Sequence, residues 1–209
     1  MRDSALTIIG ASGHGGVIRD EASRLNIYSE IFLFDDFLRK DPFGNSTEGN
    51  FSYWKKKYSS FPVIIGIGDN KKREELFNKI TAIDNNSLEN IVSRNAIVSK
   101  YINIGNGNLV VSGSVINHSV EIGNNCIINT CSSIDHDCII GSNIHIAPGV
   151  NIAGNVTIGD GAFIGMGAKI LPGVTIGNNV IIGAGSVILK NVPDGETFVG
   201  VPGKKLNTK

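Results

Sequence analysis

The sequence predicts a small α/β domain with a parallel sheet, followed by a parallel β-solenoid of hexapeptide repeats. Three observations predict it. Val92 and every sixth residue from there to Ile188 is Val or Ile, without a gap. Glycine recurs directly after that aliphatic, at Gly105, Gly123, Gly141, Gly159, Gly165, Gly177 and Gly183. Near the N-terminus, an apolar strand runs into a glycine-rich turn and then a helix start. A beat of six matches neither an amphipathic helix nor a simple alternating strand. It matches short strands joined by tight turns, where glycine supplies backbone angles other residues resist. Three such strands close one triangular coil of 18 residues, and stacked coils bury a continuous column of Ile and Val. Four places after the aliphatic comes a mostly small side chain, as at Val120, Cys126, Ser132, Cys138, Val150 and Ala162, which completes the interior.

The elements follow in chain order. Residues 5–10 read as a buried strand, the turn Gly10-Ala-Ser-Gly-His-Gly-Gly16 follows, and a helix runs from about Gly16 to Asn26. Unpaired N–H groups and the helix dipole make such a turn an anion site, placing Ser12, Gly13 and His14 as substrate-binding candidates. Glu30–Phe34 is a second strand that ends at Asp35 and Asp36, where dinucleotide folds hold a ribose hydroxyl. The glycine spacing is Gly-x-x-Gly-x-Gly and the unit is short, which argues against NAD and for half of such a fold, a half-Rossmann-like domain binding a nucleotide. Residues 39–60 read as a long polar connection packing over this site. Phe61–Gly68 is a third strand, Asp69-Asn70 starts a helix to about Ile80, and residues 81–90 are a polar linker. Ligands collect at the carboxyl ends of such strands, near His14, Asp35 and Gly68. The domains are therefore 1–85, 86–190 and a C-terminal tail, 191–209, that leaves the coil.

Bulk properties exclude other classes. Lys plus Arg and Asp plus Glu number 19 each, so no charge footprint for nucleic acid or membrane is present. There is no signal peptide and no long apolar run, which predicts a cytoplasmic protein. Cys126, Cys131 and Cys138 form no CxxC pair; two of them fall at the inward small position and read as buried thiols.

Four histidines occur. His118 and His136 both fall two places after the inward aliphatic and 18 residues apart, so they stack on one outward face. His145 immediately precedes inward Ile146, near a corner. Asp135 and Asp137 flank His136 in a stretch otherwise rich in Ile, Asn and Gly. Imidazole titrates near neutrality and suits a general base, and a carboxylate on its other nitrogen fixes the tautomer and raises basicity. Alternation along a strand lets at most one of the two acids do this directly; at a corner that alternation fails, so Asp135 and Asp137 both stand as candidates, with the preference on Asp137.

Residues 92–190 resemble the left-handed β-helix of hexapeptide-repeat acyltransferases. The N-terminal Gly-Ala-Ser-Gly-His-Gly, the Asp-Asp after strand two and the segment Asn129…Asp135-His136-Asp137-Cys138…His145 narrow the resemblance. They are similar to the sialic acid O-acetyltransferases and the nucleotide-amino-sugar N-acetyltransferases, such as those of the bacillosamine pathway. The resemblance implies His136 as base with an adjacent acid, His145 beside the acetyl-CoA thioester, and Asn129 near the sugar. It also implies coenzyme A along the later coils near Met166, Ala184, Gly165 and Gly183, a nucleotide-sugar in the N-terminal domain, a homotrimer and no metal. The stretch Phe-Leu-Phe-Asp-Asp-Phe resembles the branch acting on a UDP-4-amino-6-deoxy sugar. Acylation of a GDP- or dTDP-linked amino sugar and O-acetylation of a sialic acid stand as alternatives. One departure is Gly203, where relatives carry Ala. Two other classes remain: a zinc carbonic anhydrase-like solenoid using His118, His136 and His145, whose spacing fits poorly, and a non-catalytic binding module.

Overall fold

A computed structural model describes residues 5–84 and 87–206. It divides into two compact units, one reaching Arg94 and taking in Asn106–Leu109, the other holding Asn95–Gly105 and the chain from Val110. In the first unit, β1 (Leu6–Ile9) is central and pairs in parallel with β2 (Ile31–Phe34) and β3 (Val63–Ile65). Parallel central strands read as unbroken apolar runs, and every residue of β1 is buried. α1 is Gly13–Leu25, starting a turn earlier than the sequence indicated, and ends on Asn26 in the left-handed region. β3 is shorter than Phe61–Gly68 because Gly66 meets the glycine turn. A Cβ there would stand 2.6 Å from the Gly10 carbonyl oxygen and 2.7 Å from the Gly15 Cα.

Residues 39–60 are not merely a connection. They contain a short helix, α2 (Phe51–Lys57), capped by Asn50, whose side chain accepts the Tyr53 N–H at 2.9 Å. Trp54 of α2 is fully buried and donates its indole N–H to the Thr7 hydroxyl at 3.0 Å. That hydroxyl donates onward to the Pro62 carbonyl, so a buried polar chain fixes the helix under the sheet with Ile9, Phe34, Val63, Ile65 and Ile80. α3 (Asn70–Thr81) is capped by Asp69. The predicted linker 81–90 is also partly structural. Leu88 joins the core, and β3 exchanges backbone bonds with Ser87 and Glu89. Residues 85 and 86 of that stretch lie outside the described residues.

The second unit is a left-handed β-helix: the solenoid that the hexads predict, with the hand that the resemblance implies. Its strands are two residues long and lie on three sides. Side one includes Ile127–Ile128, His145–Ile146 and Phe163–Ile164; side two includes Val115–Ile116, Ser133–Ile134 and Asn151–Ile152; side three includes Glu121–Ile122, Ile139–Ile140 and Thr157–Ile158. Each strand pairs in parallel with the one a coil away, Ser133 with Asn151 and Ile134 with Ile152. From Val110 to Ile188 the inward aliphatics are all buried, as are the small residues at Val120, Cys126, Cys138 and Ala162, so side-chain period and coil period agree.

Three corners join the sides. In the coil 129–146, corner A is 129–132, corner B is 135–138 and corner C is 141–144. The third residue of many corners is left-handed: Ser119, Asn125, Cys131, Asp137, Asn143, Asn155 and Asn179 have φ between 54° and 61°. Corner C stacks as a polar ladder. The Ser142 N–H donates to Asp160 at 2.7 Å, Asp160 N–H to Asn178 at 2.9 Å, and Asn178 N–H to Asp194 at 2.8 Å. The glycine after the inward aliphatic exists for this ladder, since a Cβ at Gly141 would collide with the Asp160 carboxylate.

The tail does not leave the coil at residue 191. Val192 is buried and bridges Ile176, and Thr197–Val199 adds to side one beside Ile181–Ile182 before folding back on Lys204–Lys205. At Gly203 a Cβ would stand 2.5 Å from the Ile188 δ-methyl; that methyl occupies the room an alanine needs. Residues 207–209 of the tail lie outside the described residues.

Candidate active site

Corner B carries the imidazole. His136 Nδ1 meets an Asp137 carboxylate oxygen at 2.7 Å. Neighbouring side chains normally point apart along a strand, but Asp137 has φ 59°, and that left-handed turn brings its carboxylate back beside the ring. The hydrogen bond that Asp137 accepts raises the His136 pKa above the ordinary imidazole value. Desolvation works against it, and the charges of Asp135 and Asp137 add to it. Asp135 does not touch the ring. Its carboxylate accepts the His136 backbone N–H at 2.9 Å and the Asn117 side-chain amide at 2.8 Å, bonds that lower its own pKa. It therefore anchors the turn and reaches the imidazole only through charge. With Nδ1 engaged by Asp137, no hydrogen bond among the described residues occupies Nε2. Cys138, the nearest thiol in sequence, is buried; desolvation pushes its pKa up, and its S–H points to the Ala153 carbonyl at 3.2 Å. It is no nucleophile.

The residues expected near the sugar, at the thioester and along coenzyme A stand elsewhere on the coil. Asn129, Gly165, Met166, Gly183 and Ala184 belong to the corner A column. His145 lies within a strand of side one rather than at a corner, and is 6% exposed. Its Nε2 lies 3.1 Å from the Asn129 amide nitrogen, while the Asn129 oxygen accepts the Thr130 N–H at 2.8 Å. That second bond orients the amide so its nitrogen donates to His145, which makes Nε2 an acceptor and places the ring proton on Nδ1. Phe163 holds the ring edge-on, with centroids 5.3 Å apart. Gly165 and Gly183 serve the stacking itself: Cβ atoms there would stand 2.5 Å from the Ile182 carbonyl and 2.7 Å from a Val199 methyl. Met166 and Ala184 are exposed on the same corner. Within one chain, corner B lies across side two from corner A and opposite side one, so His136 does not meet Asn129 or His145. Among the described residues no group of three His, Cys, Asp or Glu is placed to hold a metal ion.

In the first unit the predicted residues do converge. Asp35 accepts the Ala11 N–H at 2.9 Å with one oxygen and the Phe37 and Leu38 N–H groups with the other. Asp36 accepts the Phe51 N–H at 2.9 Å. Both acids thus build the turns around the glycine loop, a role the ribose reading did not include. Ser12 and Gly13 are exposed at the start of α1. His14 lies against Gly68, where a Cβ would stand 2.7 Å from its Nε2; burial, then the Arg73 charge, lowers its pKa. Arg73 is buried and donates to the Ile67 and Gly68 carbonyls, each at 3.2 Å.

Sequence reasoning missed Asp41. It is buried, accepts the Phe43 and Asn45 N–H groups, and pairs with Arg19 of α1 at 3.3 Å, bonds that hold its pKa down against desolvation. The loop it pins forms one wall of a cavity of about 550 Å³ whose other wall is α1, from Gly13 and Gly16 to Ser23. The signal was the phrase Asp-Pro-Phe-Gly-Asn, a turn with its acid at the head.

An N-terminal nucleotide-type unit joined to a hexad solenoid with an imidazole–carboxylate corner defines a class of acyltransferase. The profile of the PglD N-terminal domain matches residues 5–80, and that of the bacterial transferase hexapeptide (six repeats) matches residues 155–190. A search of curated proteins finds no match. Among solved structures, the acetyltransferase domain of PglB from Neisseria gonorrhoeae is 32% identical with a TM-score of 0.92, covering 98% of this chain and 100% of that one. PerB from Caulobacter crescentus, in complex with CoA and GDP-perosamine, is 32% identical with a TM-score of 0.90, covering 98% of each chain. WeeI from Acinetobacter baumannii is 28% identical with a TM-score of 0.89, covering 97% of this chain and 100% of that one. The chain belongs to the hexapeptide-repeat sugar N-acetyltransferases with a PglD-type N-terminal domain.

Proposed function

We propose that this enzyme transfers the acetyl group of acetyl-CoA to the amine of a nucleotide-linked amino-deoxy sugar, with His136 as general base. The observation that carries this reading is the 2.7 Å bond from His136 Nδ1 to the Asp137 carboxylate. It fixes the tautomer and leaves Nε2 to take the proton of an attacking amine. The amine nitrogen bonds to the thioester carbonyl carbon, its proton passes to Nε2, and the C–S bond breaks; the departing thiolate takes that proton and leaves as coenzyme A, returning the imidazole to its neutral form. Asp137 stabilises the imidazolium that forms. The transfer is direct, because the Cys138 thiol faces the interior and is pushed toward its protonated form. The PerB complex with CoA and GDP-perosamine supports both substrate classes.

The nucleotide is held in the first unit by the Gly10–His14 turn, with the cavity beside Gly13 and Phe43 large enough for a base and ribose. The acceptor favoured by the Phe-Leu-Phe-Asp-Asp-Phe stretch is a UDP-4-amino-4,6-dideoxy-N-acetyl sugar; the GDP-linked sugar bound by PerB is the second candidate. Because one chain holds His136 and His145 on opposite parts of the coil, the complete site needs a second copy, as in a homotrimer. Corner B of one copy then faces corner A and side one of the next, with coenzyme A between them along Met166 and Ala184. UDP-, GDP- and dTDP-linked amino sugars, each assayed with acetyl-CoA by free-thiol release, test the reading. Amine-dependent thiol release with one carrier is the expected result. Release with none of them, or equal release with sialic acid, contradicts it.

A further inference from the structure

We infer that His118 is a positioning residue for His136, acting as a flat wall rather than as an acid or base. The inference rests on the reading of His136 as the base. The His136–Asp137 pair is open to solvent, with side-chain exposures of 44% and 47%. A single bond this exposed is worth little energy, so it sets the tautomer but leaves the tilt of the ring to other contacts. Something else must hold the ring plane. On one face of the His136 ring lies His118, one coil away, with centroids 5.8 Å apart and planes only 12° from parallel. That geometry is an offset stack. His118 is itself tethered, its Nδ1 lying 3.1 Å from the Ser119 hydroxyl and its carbonyl accepting the Asp137 N–H at 3.3 Å.

The other face lies over Gly154, one coil further along the same corner. A Cβ at Gly154 would stand 2.7 Å from Cε1, 2.8 Å from Nε2 and 3.1 Å from Nδ1 of His136. Three ring atoms at nearly equal distance mean that the imidazole lies flat against that backbone. The φ of Gly154 is not left-handed, so the space it leaves, not a special conformation, is what the ring uses. His136 is therefore sandwiched between an aromatic plate and a bare backbone. Asp137 fixes which nitrogen faces out, and the sandwich fixes the plane in which it does so. A ring displaced by about 1 Å costs up to roughly 100-fold in rate when geometry controls the step.

The test compares His118→Ala, His118→Phe and His136→Ala in the thiol-release assay, with thermal melting as a control for folding. His118→Ala should lower kcat about 10- to 100-fold and leave the KM for the sugar within about twofold. His118→Phe keeps the flat ring and loses both nitrogens; it should restore most of the lost kcat. The inference is overturned if His118→Ala turns over like wild type, if it raises KM alone, or if the phenylalanine variant is as slow as the alanine one. If His136→Ala keeps wild-type turnover, the underlying reading of the base fails instead, and the two failures are told apart.

Discussion

Corners B and C of the solenoid use the same kinds of side chain for opposite ends. At corner C, Ser142, Asp160, Asn178 and Asp194 each accept a backbone N–H from the preceding coil, so their polarity is spent on stacking. At corner B, Asp135 is spent on structure too, on the His136 N–H of its own corner and the Asn117 side-chain amide one coil back, but Asp137 is not. Its carboxylate goes to an imidazole whose second nitrogen is left for chemistry. Corner B carries one more acid than its backbone needs, and the proposed base rests on that surplus.

The sharpest break of this comparison is His136→Ala. Turnover should fall about 10²- to 10⁴-fold in the thiol-release assay while the circular dichroism spectrum and melting temperature stay close to wild type. Asp160→Ala, at corner C, should do the reverse. It removes one ladder acceptor and should lower stability by about 1 kcal/mol in a denaturant titration, with kcat per folded molecule unchanged. If Asp160→Ala instead removes activity at full stability, the corners do not divide the labour as described. The smallest effect reads the register itself. Cys126 and Cys138 are buried and Cys131 is exposed on the single chain, so a thiol reagent should modify at most one equivalent in the native protein and three after denaturation.

The hexads made the solenoid legible because one buried column must repeat with the coil. The same arithmetic set His118 and His136 one coil apart, and they stack. What sequence alone left open was conformational. Choosing between Asp135 and Asp137 required the left-handed φ of Asp137, which strand alternation does not foresee. α2 escaped because seven residues offer too little periodicity, although Asn50 and Trp54 mark its cap and its buried face. Asp35 and Asp36 read as ribose ligands from their place in the fold, and their bonds to backbone N–H groups, set by how the turns close, were not foreseen. Asp41 lay in a stretch whose polarity resembled a plain connection, and only its pairing with Arg19 reveals a cavity wall. The separation of His136 from Asn129 and His145 follows from which side each occupies, and sequence proximity conceals it.

The central claim is that Asp137 makes His136 the base, and the pH dependence of kcat/KM tests it most directly. The active form is neutral imidazole, and Asp137 favours the protonated form, so the wild-type acid limb should have its midpoint above the ordinary value of 6.5. Asp137→Asn removes the largest cause of that rise, and the midpoint should move to lower pH while the plateau falls. Titration of the substrate amine is common to both proteins and cancels in the difference. An acid limb at the same pH in wild type and Asp137→Asn would contradict the account.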